Sequence, residues 1–147
     1  MRLHHGILLC GFFFVLASSA AYARTTFHDL EAKQAAESGI GKAKLLDVPY
    51  YMSGQKHPKM GRDLGVFTAN RRTNAFGKSD EEACKIAFLS AIISLQTRAN
   101  KMGADAVVEI KSITKHNDLE SDTNYRCAAG AFVANVALTG RVVAFEK

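Results

Sequence analysis

The chain has 147 residues, of which 48% are hydrophobic, and this length and composition suit one globular domain. The formal net charge of +5 comes from 19 Lys and Arg against 14 Asp and Glu, a small excess for a dedicated nucleic-acid-binding protein. We therefore expect a small folded protein whose partner is not a nucleic acid.

Residues 1–23 have the parts of a secretory signal peptide. Arg2 gives a positive start, residues 7–17 form an apolar run, and the Ala-Tyr-Ala sequence at 21–23 fits the small-residue rule for cleavage. The apolar run is too short to span a bilayer comfortably. We expect cleavage before Arg24, a single mature domain over residues 24–147 without a transmembrane span, and a periplasmic or secreted location.

Three cysteines are present, and one of them lies in the predicted signal peptide. Cys10 follows Leu9, where a lipid-attachment site requires a small residue, so we do not expect lipidation. Cys84 and Cys127 remain in the mature chain, and a pair of cysteines in an exported protein predicts a disulfide bond. The alternatives are two buried free thiols or a metal site, although no further ligand lies near either cysteine at metal-binding spacing.

The first part of the mature chain predicts one short helix and one strand. Residues 29–38, DLEAKQAAES, favour a short helix, which Gly39 and Gly41 interrupt. Residues 48–52 read as a strand, and Pro49 near its start indicates a position at the sheet edge.

Residues 54–78 are rich in turn residues and cations, with Asp63 as the single acid. One interpretation is a solvated loop and hairpin, with a short strand at 64–68. The other is a surface for an anionic envelope component or an acidic protein. Its candidate contacts are Lys56, Lys59, Arg62, Arg71 and Arg72. Stacking aromatic residues are sparse in this segment, which disfavours recognition of single-stranded nucleic acid.

Residues 79–102 predict one long helix. Ser79 is a suitable N-cap, and Glu82 completes a capping box three residues later. Gly103 supplies the left-handed residue that ends many helices. Apolar residues recur at helical spacing between these signals, so the helix is expected to pack against a core.

The rest of the chain predicts strands. Residues 104–114 alternate between apolar and polar, residues 115–124 are a polar loop, and residues 125–145 form one long strand or two. The expected core face of this last part holds Phe132, Val136, Leu138 and Val142. A bridged Cys127 must face the helix as well, and its odd spacing from Phe132 predicts a β-bulge near Gly130.

These elements predict an α+β fold. Its expected form is an antiparallel sheet of about four strands, with one long helix (79–102) packed across one face and a short helical N-terminal segment.

No chemistry-bearing motif is complete. The Gly-Lys-Ser at 77–79 invites a phosphate-loop reading, but Arg72 stands where that motif requires glycine. His28, His57 and His116 are scattered and lack metal-binding spacing. We therefore predict no catalytic residue, no metal and no cofactor.

Four stretches resemble a family of small exported bacterial proteins that commonly carry the label of the excinuclease ATPase. The stretches are QKHPK (55–59), NRRTNAFGKSDEEAC (70–84), GADAVVEI (103–110) and CAAGAFV (127–133). The label does not suit a chain of this length without a phosphate loop. The order of cysteine helix, GADAVV strand and cysteine strand is more loosely similar to the outer-membrane lipoprotein sensor of the Rcs envelope-stress pathway. That sensor carries a lipid and a second disulfide, which have no counterpart here.

Together these observations predict a non-catalytic periplasmic binding or interaction protein, linked by resemblance to envelope stress. The alternative is a small periplasmic enzyme whose site is formed by the loops at 54–78 and 115–124.

Overall fold

A mixed sheet of seven strands is the centre of the computed structural model, which describes residues 23–147. In chain order the strands are β1 (Thr26–Glu31), β2 (Tyr50–Met52), β3 (Met60–Asn74), β4 (Ala106–Thr114), β5 (Asn117–Leu119), β6 (Asn124–Ala129) and β7 (Val133–Phe145). The helices are α1 (Ala32–Glu37), α2 (Gly39–Lys44) and α3 (Asp80–Lys101). The predicted signal peptide lies outside the described residues, apart from Ala23. Within those residues, no helix is long and apolar enough to cross a membrane.

Strand β7 organises the sheet. It pairs with antiparallel β3 along its whole length, and its other side pairs with β4 and, near its start, with β6. Strand β1 extends the sheet from β6, β5 pairs with β4, and β2 runs parallel to β4. The predicted fold class is therefore wrong: the sheet has seven strands instead of about four, and it is mixed instead of antiparallel.

Strand β1 is the first cause of this error. Residues 29–38 were expected to be helical, but residues up to Glu31 pair with β6 from Thr26↔Ala129 to Glu31↔Asn124. The short helix α1 begins only at Ala32. Local helix propensity is weak, and a ladder of backbone hydrogen bonds to an available strand overrides it.

Strand β3 is the second cause. It has 15 residues and occupies most of the segment that was expected to be loops. Gly65, at φ 110°, sits where the register with β7 shifts between Asp63 and Val66. Only Ala69 of β3 is buried and four further residues, Leu64, Gly65, Phe67 and Thr73, are half-buried, because β3 is an outer strand whose second face is largely exposed. The predicted 115–124 loop likewise contains the short β5.

Helix α3 has 22 residues and packs across one face of the sheet, mainly over β7 and β3. The predicted N-cap is confirmed, since the Ser79 hydroxyl accepts a hydrogen bond from the Glu82 amide at 3.1 Å. Fully buried side chains fill the interface, among them Phe88, Ile92 and Leu95 of the helix. Gly140 of β7 lies beneath the helix, where a Cβ would come within 2.7 Å of a Val107 methyl group.

The predicted disulfide is confirmed. It joins Cys84, near the start of α3, to Cys127 of β6, with a Cα–Cα distance of 5.7 Å. Both cysteines are fully buried. The bond therefore ties the helix to the part of the sheet that also holds β1.

The predicted bulge near Gly130 is wrong, because the chain reverses there. β6 ends at Ala129, the Gly130 amide donates to the Val133 carbonyl at 2.9 Å, and β7 then runs antiparallel to β6. The reversal resets the alternation of faces, so Val136 is fully buried while Phe132 is 67% exposed instead of in the core.

One buried polar residue of α3 anchors the chain before β2. Gln96 is 1% exposed. Its Oε1 accepts from the Leu46 amide at 3.0 Å, and its Nε2 donates to the carbonyls of Leu46 and Val48 at 2.9 and 2.8 Å. The amide side chain thus pairs with this segment as a neighbouring strand would.

Candidate functional site

The five predicted contacts for an anionic partner are spread along β3 and the loop before it. Lys56 is exposed in that loop, and the Lys59 ammonium pairs with Glu146 at 2.9 Å. Arg62 lies near one end of β3, and Arg71 and Arg72 lie near the other. At about 3.3 Å per residue, Arg62 and Arg72 are roughly 30 Å apart along the strand.

Arg71 and Arg72 face opposite sides of the sheet, because successive side chains of a strand alternate. Arg71 lies opposite the core residue Val136, and its Nη2 donates to the Ser94 hydroxyl of α3 at 2.7 Å. Arg72 lies opposite Asn135 and lines a different cavity together with it. The two neighbouring arginines therefore belong to two different surfaces.

Arg71 is one wall of a groove between β3 and α3, which we call the β3–α3 groove. Its volume is about 500 Å³. Two further cations of α3, Arg98 and Lys101, line the groove with Arg71, and no acidic side chain of residues 23–147 lines it. Ile93 and Leu95 contribute apolar surface.

The cations of the β3–α3 groove are positioned without counter-ions. The Arg98 guanidinium lies over the Phe67 ring, 4.9 Å from its centre, and the Arg71 guanidinium is held by Ser94. Within residues 23–147, neither arginine nor Lys101 forms a salt bridge. Arg98 and Lys101 also complement the negative end of the helix dipole, which gives these two a structural role that Arg71 lacks.

A second concave surface lies on the face of the sheet away from α3, and we call it the open-face cavity. Its volume is about 640 Å³. The loops on either side of it are in contact, since the Ser53 hydroxyl donates to Glu120 Oε1 at 2.7 Å and Gln55 Nε2 donates to the Asp122 carbonyl at 2.7 Å. The two loop regions named for an enzyme site therefore meet in part.

A charged network crosses the open-face cavity. Arg141 donates to Glu109 Oε2 at 2.8 Å and also to Asp63. Glu109 has a left-handed φ of 53°, at a break in the β4–β7 register. The Gly65 amide, followed by the Arg141 guanidinium, lowers the pKa of Asp63 by donating hydrogen bonds to its carboxylate.

The histidines do not assemble a catalytic group with this network. His57 lines the open-face cavity, where it stacks with Phe145, and its Nδ1 lies 2.8 Å from the Pro58 carbonyl. His116 is exposed in the turn after β4 and does not line the cavity. Ser53 donates to Glu120 instead of to a histidine. In the part of the chain that the structure describes, no cluster of His, Cys, Asp and Glu is placed to hold a metal ion.

Sequence reasoning did not include Arg98 and Lys101 in the candidate surface. It assigned the helix to packing against the core. A usable signal was present, since Ser90, Ser94, Thr97 and Lys101 recur at helical spacing and form a polar stripe on one side of α3. The sequence alone does not show that β3 places Arg71 beside this polar stripe.

No family model, curated protein or solved structure gives a significant match to this chain. The resemblances carried by the sequence motifs therefore stay expectations. Function is inferred from the two concave surfaces and their charges.

Proposed function

We propose that this chain is a non-catalytic binding protein of the bacterial envelope, and that it engages an anionic envelope component or acidic protein through the β3–α3 groove. The observation that carries the proposal is the groove itself, where Arg71, Arg98 and Lys101 converge and no acidic side chain lies among the lining residues that the structure describes.

Two of these cations are preorganised. Ser94 holds Arg71 and the Phe67 ring supports Arg98, so little side-chain freedom remains to be lost on binding. A guanidinium presents paired N–H donors that match a carboxylate or a phosphate. The Ser94 hydroxyl accepts its hydrogen bond from Arg71, which leaves its own hydrogen free to donate to the same anion.

The cysteine chemistry supports the envelope location. A buried disulfide between Cys84 and Cys127 fits a protein that folds in an oxidising compartment. The order of cysteine helix, GADAVV strand and cysteine strand is the feature on which the looser resemblance to the envelope-stress sensor rests. We include a role in envelope stress in the proposal on that ground.

Neighbouring arginines give the test a matched control. Protein purified from cells that make the full chain is immobilised and incubated with detergent-solubilised envelope, and bound material is recovered by crosslinking. Arg71→Ser should abolish capture, while Arg72→Ser removes the same charge one residue away on the opposite face and should leave capture intact. Capture should also weaken as salt rises, because exposed charges are screened within about 8 Å at physiological ionic strength.

Two results would contradict the groove proposal. One is equal capture by wild-type protein and Arg71→Ser. The other is a large fall in melting temperature for Arg71→Ser, which would assign this arginine to the fold.

The contact between Ser53 and Glu120 keeps a small periplasmic enzyme as a second candidate. In that case the open-face cavity would hold the substrate, with Ser53 as nucleophile and Arg141 as an anion-binding group. A serine-reactive organophosphorus probe should then label wild-type protein but not Ser53→Ala. Equal labelling of the two proteins, or of neither, would contradict it.

A further inference from the structure

Two turns meet at one end of the sheet. One joins β3 to α3 and carries Phe76, and the other joins β6 to β7 and carries Phe132. The Ala75 amide donates to the Phe132 carbonyl at 2.8 Å. The two phenyl rings are stacked, with centres 6.0 Å apart and planes 12° from parallel.

These two rings are the most exposed large apolar side chains of the described residues. Phe76 is 69% exposed and Phe132 is 67% exposed, and the neighbouring Val133 is 47% exposed. We call these three residues the aromatic tip. Scattered exposed apolar side chains are ordinary. Two exposed phenyl rings in contact with each other instead indicate an interaction surface that a partner protein or a membrane covers.

Cations surround the aromatic tip. A cavity of about 380 Å³ adjoins it, with Phe132 and Val133 in its apolar wall and Arg24, Arg72 and Lys115 among its lining residues. From Ala23 onward, no acidic side chain of the described chain lines this cavity. The turn that carries Phe76 also holds Lys78.

The acidic residue that follows Phe76 and Lys78 most closely in sequence already has cationic partners. Asp80, in the first turn of α3, accepts two hydrogen bonds from Arg24, at 2.9 and 3.1 Å, and lies 3.0 Å from His28. Arg72, Lys78 and Lys115 form no salt bridge within the described residues, and we call them the cationic collar.

We propose that the aromatic tip and the cationic collar dock this protein on an anionic lipid bilayer. The rings enter the interfacial region, and the collar binds the headgroup phosphates. A small soluble anion would satisfy the cations but leave the rings in water. A second copy of the chain would cover the rings but bring two positive collars together. A bilayer satisfies both features, and the residues of this surface are separate from those that line the β3–α3 groove.

The test is cosedimentation with vesicles, using protein purified from periplasmic extracts of cells that make the full chain. Vesicles of phosphatidylcholine with phosphatidylglycerol should bind it, and vesicles of phosphatidylcholine alone should not. Replacing both rings, Phe76→Ser with Phe132→Ser, should lower the partition coefficient by about tenfold or more, because two apolar side chains no longer enter the bilayer. The control Val66→Ser removes an exposed apolar side chain elsewhere on β3 and should have little effect.

Neutral substitutions in the cationic collar test the contribution of its charges independently of the phenyl rings. Arg72→Ser with Lys115→Ser should lower binding about tenfold, and added salt should lower it further. Lys33→Ser, which removes an exposed cation of α1 outside both surfaces, should leave vesicle binding unchanged. The groove proposal is tested by capture of solubilised material with Arg71→Ser, and the docking proposal by sedimentation with vesicles and the collar variants, so failure of one is distinguishable from failure of the other.

A fluorescent reporter tests insertion directly, because the chain contains no tryptophan. Phe132→Trp should shift its emission to the blue on anionic vesicles, whereas Val66→Trp should not. Equal binding by wild-type protein and the double phenylalanine variant would overturn the proposal. So would full competition by soluble glycerol phosphate, or a dimer in solution that Phe132→Ser dissociates.

Discussion

Replacing Gln96 by leucine should destabilise the protein through the chain segment before β2. Leucine fills a similar volume but cannot form the three hydrogen bonds that Gln96 makes with Leu46 and Val48. Val48 is buried, so water does not readily replace the bond to its carbonyl, whereas Leu46 is partly exposed.

The size of the effect follows from these bonds. Each lost hydrogen bond costs about 1 kcal/mol net, and an orphaned buried carbonyl costs roughly 1–3 kcal/mol. The gain from a more apolar side chain offsets part of the loss, so Gln96→Leu should lower the free energy of unfolding by about 3 kcal/mol. For a urea m-value of about 2 kcal/mol/M, the unfolding midpoint should fall by roughly 1.5 M.

Urea unfolding followed by circular dichroism measures this change, with an unchanged m-value as the check that the same transition is compared. Thr97→Val is the matched control. The Thr97 hydroxyl donates only to the Ile93 carbonyl of its own helix, so its loss should cost less than about 0.5 kcal/mol. A loss below about 1 kcal/mol for Gln96→Leu would show that the segment before β2 is held by packing instead of by this amide.

Three further changes test other parts of the fold. Replacing Cys84 and Cys127 together by alanine opens a loop of 43 residues, and urea unfolding should show a loss of about 4 kcal/mol from the denatured-state entropy alone; a loss near zero would mean that the bond is strained or unformed. Gly140→Ala places a methyl group against Val107 and should lower the free energy of unfolding by about 1–3 kcal/mol, while Gly39→Ala, which meets nothing within 4 Å, should not; equal effects would contradict the packing described here. Burial, with a smaller contribution from the charge of a nearby glutamate, raises the pKa of Tyr125 above its usual value. Its contribution to stability is therefore intact below about pH 10 and falls at higher pH as the unfolded phenol ionises; ionisation of all tyrosines at one ordinary pKa in an ultraviolet titration would refute this.

The start of α3 was predictable because its signals are local. Ser79 and Glu82 lie within one turn, and the cap they form depends on no distant residue. The disulfide was predictable by counting, since removal of the expected signal peptide leaves only Cys84 and Cys127 to pair.

Strands β1 and β3 were missed because their stability is not local. Residues 29–31 suit the start of a helix, and pairing with the backbone of β6, almost a hundred residues away, makes them part of a strand. β3 lacks a strong apolar alternation because it is an outer strand: Phe67 and Ala69 face the helix, while Arg72 faces away from it.

The candidate site was predicted only in part, because the prediction treated residues 54–78 mainly as loops. The sequence identified Arg71 as a candidate contact, yet it grouped Arg71 with Arg72 because residues in a loop have no defined faces. Once β3 is a strand, the two arginines separate, and Arg71 joins Arg98 across the β3–α3 groove. Whether residues 60–74 are predicted as a strand or as a loop therefore determines which of their charged side chains are expected to lie on the same surface.

The pairing of β1 with β6 determines when β1 can join the sheet during synthesis of the chain. Among the described residues, β1 pairs only with β6, from Thr26↔Ala129 onward. A chain is synthesised from its N-terminus, so β1 has no partner until the residues up to β6 have followed it. Cys84 must likewise wait for Cys127 before its thiol can be oxidised correctly. Pairing of β1 and closure of the disulfide therefore both wait for β6, and until β6 is made the nascent chain carries an unpaired strand and a free thiol.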